Sequence, residues 1–316
     1  MRDGVAAVPE DPGFVETLVG DGRPLLTICA LVLLGSGAFA LFLGATGQFL
    51  PHDIAFLGMT SQALCSLHGC RIVHFMIHDR VSFGGVLVAI GVMYLWLVEF
   101  PLKRGETWAW WTLTASSAAG FLSFLSYLGY GYLDTWHGVA TLGLLPLFGL
   151  GLWRTRGLRR VPVPRPPLDL ATRAALGRAL LLAATFGMMA AGAVISVLGA
   201  TLVFVPQDLE FMGINPDELR AINARLIPLI AHDRAGFGGA ILSGGIVMFL
   251  SVLYGRVGRG LGQALALAGI FGFGAAIGVH PAIGYTSVSH LAPAVTGCLV
   301  YVAGLFLAWP ARRSRP

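Results

Sequence analysis

The sequence predicts an all-α integral membrane protein of eight transmembrane helices, arranged as two tandem four-helix bundles related by a pseudo-twofold axis along the membrane normal. Three observations predict it. Of 316 residues 56% are apolar and only 12% charged, a balance outside the range of soluble domains. Eight apolar runs approach the roughly 20 residues that a bilayer core requires. The chain also repeats itself: His78-Asp79-Arg80-Val81-Ser82-Phe83-Gly84-Gly85 returns as His232-Asp233-Arg234-Ala235-Gly236-Phe237-Gly238-Gly239, with further matches on both sides in the same order.

The runs lie near 25 to 47, 72 to 98, 108 to 130 and 134 to 153 in the first half, and near 178 to 203, 229 to 254, 261 to 281 and 290 to 309 in the second. Residues 1–24 carry Asp3, Glu10, Asp11, Glu16 and Asp21 and lack the basic start of a signal peptide, so the first helix is expected to be retained. The first half is assigned to 25–155 and the second to 177–310. Between them 156–176 reads as an extended Arg/Pro-rich linker, with Val161-Pro162-Val163-Pro164-Arg165-Pro166-Pro167 at its centre. A basic tail, 311–316, closes the chain. The linker arginines, Lys103 with Arg104, Arg256 with Arg259, and Arg312 with Arg313 and Arg315 all fall on one side of eight spans. The positive-inside rule then predicts an inner-membrane protein with both termini cytoplasmic. The basic net charge of +5 is thereby a topological signal, and no nucleic-acid partner is expected.

An even number of spans per half gives the halves the same orientation. Helices two, four, six and eight then run inward from the outer face, and His78, His137, His232 and His290 share one leaflet. Ionisable residues at that depth usually mark a site facing the bundle interior; the plainer alternative is helix-to-helix hydrogen bonding. Asp79 and Asp233 either orient a neighbouring histidine or arginine or pair with the adjacent Arg80 and Arg234, and the adjacent ion pair is the expectation. Gly131-Tyr132 recurs as Gly284-Tyr285, which places the two tyrosines beside the histidines. Phe83-Gly84-Gly85 and Phe237-Gly238-Gly239 suit close helix packing or the approach of a flat macrocycle, packing being the expectation. The outer loops share Pro-x-Asp-x-x-Phe-x-Gly at Pro51 to Gly58 and Pro206 to Gly213. Each is expected to contain a short helix over the bundle, with Asp53 and Asp208 as helix caps or as part of a lid on a pocket. Arg71 and Arg225 each precede the triplet by seven positions.

Some features belong to one half. Cys65 and Cys70 face an oxidising compartment in this topology, so a disulfide is the first reading, and metal binding through Cys-x2-His-x-Cys the second. His74 and His78 share a helical face, but Pro228 stands where His74 would repeat. His280, near the outer end of helix seven, is placed to line the cavity of the second half. No phosphate loop, His-Glu-x-x-His or Gly-x-Ser-x-Gly is present.

This histidine layout resembles that of the heme A synthase family, which has eight helices in two homologous halves, a histidine on each even-numbered helix and a cysteine pair in the first outer loop. The resemblance covers most of the chain as architecture. It implies a b-type haem between His78 and His137, between His232 and His290, or in both places, near the outer face, with the iron held by those histidines. Arg80, Arg234, Arg71 and Arg225 would suit the propionates, and Asp79, Asp233, Tyr132 and Tyr285 would support the ligands. The function expected is electron transfer or oxidation of a lipophilic substrate in the bilayer, with a quinone or a respiratory membrane protein as partner. Two other classes are open: a non-haem metal enzyme using the same repeated His and Asp groups, and a transporter or accessory subunit of a membrane complex.

Overall fold

A computed structural model describes residues 13–123, 132, 135–161 and 170–309, among which all regular structure is helical. The expected N-terminal acidic segment to residue 12, residues 162–169 of the linker and the basic tail lie outside the described residues. Among the described residues six helices are long and apolar enough to cross a membrane. They are α2 (Arg23–Thr46), α5 (Arg71–Leu97, continued by a π-helical turn to Leu102), α8 (Arg173–Ala200), α11 (Leu226–Tyr254), α12 (Arg259–Ile283) and α13 (Val288–Ala308). Between α5 and α8 lie α6 (Thr107–Ser123) and α7 (Thr135–Thr155), the expected third and fourth helices. Phe39, Phe42, Phe186, Ile270, Val302 and Phe306 stand exposed on outward faces, whereas the buried set includes histidine, aspartate and arginine. Apolar outside and polar within is the reverse of a soluble protein, and the chain is an all-α membrane protein.

The short helices follow from their ends. α1 (Phe14–Val19) precedes the bundle. α3 (Pro51–Leu57) and α9 (Pro206–Met212) each begin with proline, whose fixed φ suits the first helical position. Each ends at a left-handed glycine, Gly58 at φ 68° and Gly213 at φ 66°. α4 (Ser61–His68) is capped by Thr60 and α10 (Pro216–Ile222) by Asn215, whose side chains accept backbone N–H bonds. Cys65 and Cys70, at the end of α4, are joined as a disulfide. The loops of the two halves lock together: Asn223 Nδ2 donates to Leu57 O at 2.8 Å, and the His68 ring nitrogen Nε2 lies 3.3 Å from Gly213 O.

The halves interleave, in contrast to the separate tandem bundles expected from the repeat. α2 packs on α5 and α8 on α11, but α6 runs along α11 and α12 along α5, so each third helix crosses to the other half. α7 returns to α2 and α13 to α8, and α5 and α11 meet across the middle. The repeated glycines explain the exchange. A Cβ on Gly84 would lie 2.9 Å from Gly37 O on α2, and one on Gly238 would lie 2.9 Å from Gly192 O on α8. The second glycines face the crossing helices: a Cβ on Gly85 would lie 2.5 Å from Phe271 O on α12, and Gly239 abuts Ser123 of α6. One glycine of each pair thus seats the helix of its own half and the other seats the intruder. Buried polar groups tie the same crossing: Ser116 Oγ donates to Ser243 O and Ser243 Oγ to Ser116 O, both at 2.9 Å.

Candidate metal centre

The site is built at the end of the bundle that carries the short helices. Asp53 and Asp208 stand at the third position of α3 and α9, where a carboxylate can reach back to the preceding backbone. Leu50 N donates to Asp53 Oδ2 at 3.1 Å and Val205 N to Asp208 Oδ2 at 2.8 Å. Both aspartates are buried and do more than cap. Tyr132 donates its hydroxyl to Asp53 Oδ1 and Tyr285 to Asp208 Oδ1, each at 2.9 Å. Arg80 Nη1 donates to Asp53 Oδ2 at 2.6 Å, and Arg234 Nη1 donates to Asp208 Oδ2.

The ion pairs expected between sequence neighbours are replaced by crossed ones. Arg80 Nε donates to Asp233 Oδ2 at 2.8 Å, and Arg234 Nε lies 3.7 Å from Asp79 Oδ2. Successive residues project about 100° apart around a helix, so Arg80 leaves α5 away from Asp79 and toward α11. Asp79 and Asp233 also face the histidine before them: His78 Nδ1 is 3.0 Å from Asp79 Oδ1, and His232 Nδ1 is 3.1 Å from Asp233 Oδ1. The repeat therefore encodes two copies of one chain of contacts, Tyr to Asp to Arg to the opposite Asp and its His.

Burial and charge compete here. Asp208 would be raised by burial, but the guanidinium of Arg234 and the bonds from Arg234, Val205 and Tyr285 hold its carboxyl below the ordinary range. Burial first, and the Asp208 carboxylate next, push the Tyr285 hydroxyl above its ordinary range, which keeps it a proton donor. Among the described residues Asp53, Asp79, Asp208 and Asp233 face two guanidiniums, Arg80 and Arg234. Two negative charges are in excess within the network. At this burial such an excess must be met by bound protons or by a cation.

The second-half side carries three imidazoles. His78, His280 and His290 place one potential ligand atom each within 4.8 Å of the others. Their ring centres are separated by 4.4 Å between His78 and His280, 5.6 Å between His78 and His290, and 5.2 Å between His280 and His290. In two of the rings one nitrogen is hydrogen-bonded elsewhere, and in the third it lies against a carboxylate. His78 Nδ1 faces Asp79, His280 Nδ1 lies 2.7 Å from Ala276 O, and His290 Nδ1 lies 3.1 Å from the Tyr285 hydroxyl. His280 Nε2 is buried without a hydrogen-bond partner. Carboxylate, carbonyl or hydroxyl on the far nitrogen is the arrangement that orients imidazoles toward a metal.

These contacts differ from the pairing that the resemblance implied. His78 meets His290 and His280 of the other half, and His232 packs edge-on against Tyr132 at 4.9 Å. The side chain of His137 lies outside the described residues. Between His78 and His290 the ring separation leaves no layer for a macrocycle. Nor are the arginines placed for propionates: Arg80 and Arg234 are taken by aspartates, Arg225 Nη1 donates to Phe56 O, and exposed Arg71 sits beside Gly213. His280 carries weight that the repeat concealed, because Tyr127 occupies the matching position in the first half. Its place near the outer end of an apolar run is what marked it in the sequence as a residue lining the second-half cavity.

The first-half side holds an elongated cavity of about 740 Å³, bounded by α2, α5, α6, α7 and α11, with His52, Asp53, Arg80 and His232 at one end. No family model matches the chain, and no curated protein or solved structure matches it.

Proposed function

We propose that the protein is a multi-pass membrane metalloprotein that holds one divalent transition-metal ion through His78, His280 and His290 and uses it in oxidoreduction. The carrying observation is the approach of three imidazoles within 4.8 Å, two buried and one half-buried, with His280 Nδ1 and His290 Nδ1 hydrogen-bonded and His78 Nδ1 against the Asp79 carboxylate. Three neutral imidazoles suit zinc, copper or iron and leave a position open, as catalytic rather than structural sites do. The excess of two carboxylates over guanidiniums in the network supplies the balancing charge for a divalent ion. A metal there would provide Lewis acidity or electron exchange, while Asp79 and Tyr285 orient its ligands and Arg234 fixes Asp79 and Asp208.

In this reading α6 and α7 complete eight spans. The arginine-rich turns lie on the cytoplasmic side of an inner membrane, which puts the histidines and the Cys65–Cys70 disulfide near the outer face.

A second reading, the b-type haem implied by the resemblance to heme A synthases, is favoured by the 740 Å³ cavity beside His232. Absorption spectra and elemental analysis of the purified, tag-free protein separate the two. The metal reading expects one transition-metal equivalent without a Soret band, reduced in His280→Ala. A Soret band lost in His232→Ala, with no bound metal beyond the haem iron, would replace the first reading by the second.

A further inference from the structure

The cavity of the first half is a site in its own right, apart from the histidine cluster. Its α2 wall runs from Cys29 to Gly44, about 22 Å at the rise of a helix, so it is deep along the bundle axis. Most of that wall is apolar: Leu33, Leu43, Leu87, Ile90, Leu144 and Phe148 line it. The charged groups and imidazoles gather at one end, where Gln48, His52, Asp53, Arg80, His232 and Asp233 converge.

The cavity opens sideways. α2 and α7 touch at one end, where a Cβ on Gly151 would meet Leu26 at 2.9 Å and one on Gly22 would meet Gly151 O at 2.6 Å. Toward the other end the cavity lies between them, lined by Phe39 and Leu43 of α2 and by Thr141 and Leu144 of α7. Ser36 and Phe39, which line the cavity, are exposed on the outward side of α2. Entry from between α2 and α7 is therefore from lipid. The matching contact closes the same end in the second half, where a Cβ on Gly177 would lie 2.7 Å from Gly304 O.

The charge at the polar end selects the head group. Arg80 is the cation there, and its Nη1 and Nε donate to Asp53 at 2.6 Å and Asp233 at 2.8 Å. The two carboxylates outnumber it, so an acidic head would meet net negative charge without a partner, at a cost that buried like charges impose. Carboxylates accept and do not donate, which favours a head that brings its own O–H.

From the elongated apolar wall, the lateral opening and this acceptor-rich end, we infer that the first-half cavity binds a long-chain lipid with an uncharged hydroxyl head, the class of polyisoprenoid and fatty alcohols and of quinols. The inference is independent of the metal at the other side and does not require it.

Photoreactive diazirine analogues of farnesol and of farnesoic acid, which share a tail and differ in the head, test it on the full-length protein in detergent. The hydroxyl probe should label α2 and α5 peptides, with competition by unlabelled farnesol and by a decyl-tailed quinol. The carboxylate probe at pH 7.5 should need at least tenfold higher concentration. Ala240→Phe, which fills the wall, should abolish labelling. Should the Phe variant fail to fold, Ala240→Val, which fills less of the wall, should weaken labelling. His280→Ala should leave it unchanged, so failure of the metal reading would not touch the result. Equal labelling by the two heads, labelling outside the cavity, or a haem that co-purifies and is lost in His232→Ala would overturn the inference.

Discussion

Replacing Arg80 with alanine removes two charge-assisted bonds, at 2.6 Å to Asp53 and 2.8 Å to Asp233, and leaves both carboxylates buried without their cation. Removing one partner of a buried pair costs about 3–5 kcal/mol, and hydrogen bonds to charged groups contribute about 1.5–3 kcal/mol each. A double-mutant cycle isolates the contact that matters. With Arg80→Ala and Asp233→Ala, the crossed pairing predicts a coupling of about 1.5–3 kcal/mol. With Arg80→Ala and Asp79→Ala, which are neighbours in sequence, the coupling should stay within about 0.5 kcal/mol. Unfolding free energies measured in mixed micelles, with native-like circular dichroism verified for each variant, supply the four corners. Additivity in the first cycle together with coupling in the second would restore the adjacent ion pair and refute the interleaved network.

Other outcomes follow from the same contacts. Because the carboxyl of Asp208 is held below its ordinary value, its stabilisation is present at neutral pH and is lost as pH falls through the folded value, below about 3.8. Asp208→Asn should be less stable at pH 7 and show a shallower acid limb, and an unchanged acid limb would exclude this contribution. Tyr285→Phe deletes the hydroxyl that donates to Asp208 Oδ1 and lies 3.1 Å from His290 Nδ1 and should weaken metal binding by about 10- to 100-fold, measured by chelator competition. Gly84→Leu puts side-chain atoms against Gly37 O and Ala40 and should cost about 1–3 kcal/mol of unfolding free energy; a neutral result would place α2 elsewhere. Mass spectrometry after alkylation of the denatured protein should show Cys65 and Cys70 modified only after reduction.

The repeat was a good guide to which residues matter and a poor one to which residues meet. His78, Asp79, Arg80, Tyr132 and their second-half copies all lie in one network, because a polar group retained twice in lipid-facing helices has a partner in each copy. The repeat cannot say whether Arg80 reaches Asp79 or Asp233, since both copies carry the same letters. Local geometry can: two successive helical side chains diverge, and the glycine pairs bring the other half within reach. His280 was hidden for the opposite reason, as Tyr127 stands at its matching position and duplication alone gives it no weight. The apolar runs located α2, α5, α8, α11, α12 and α13 because burial in lipid demands length, but nothing in a run records which neighbour its glycines admit, and so the exchange of α6 and α12 was not legible.

Elemental analysis of the purified, tag-free protein, after equilibration with micromolar zinc, copper or iron and removal of loosely bound ions, tests the central claim most directly. The account predicts one tightly held transition-metal ion per chain in the wild type, its loss in His78→Ala, His280→Ala and His290→Ala, and its retention in His68→Ala. A well-folded wild type that holds no metal under any of these conditions, or one whose metal survives His280→Ala, would contradict it.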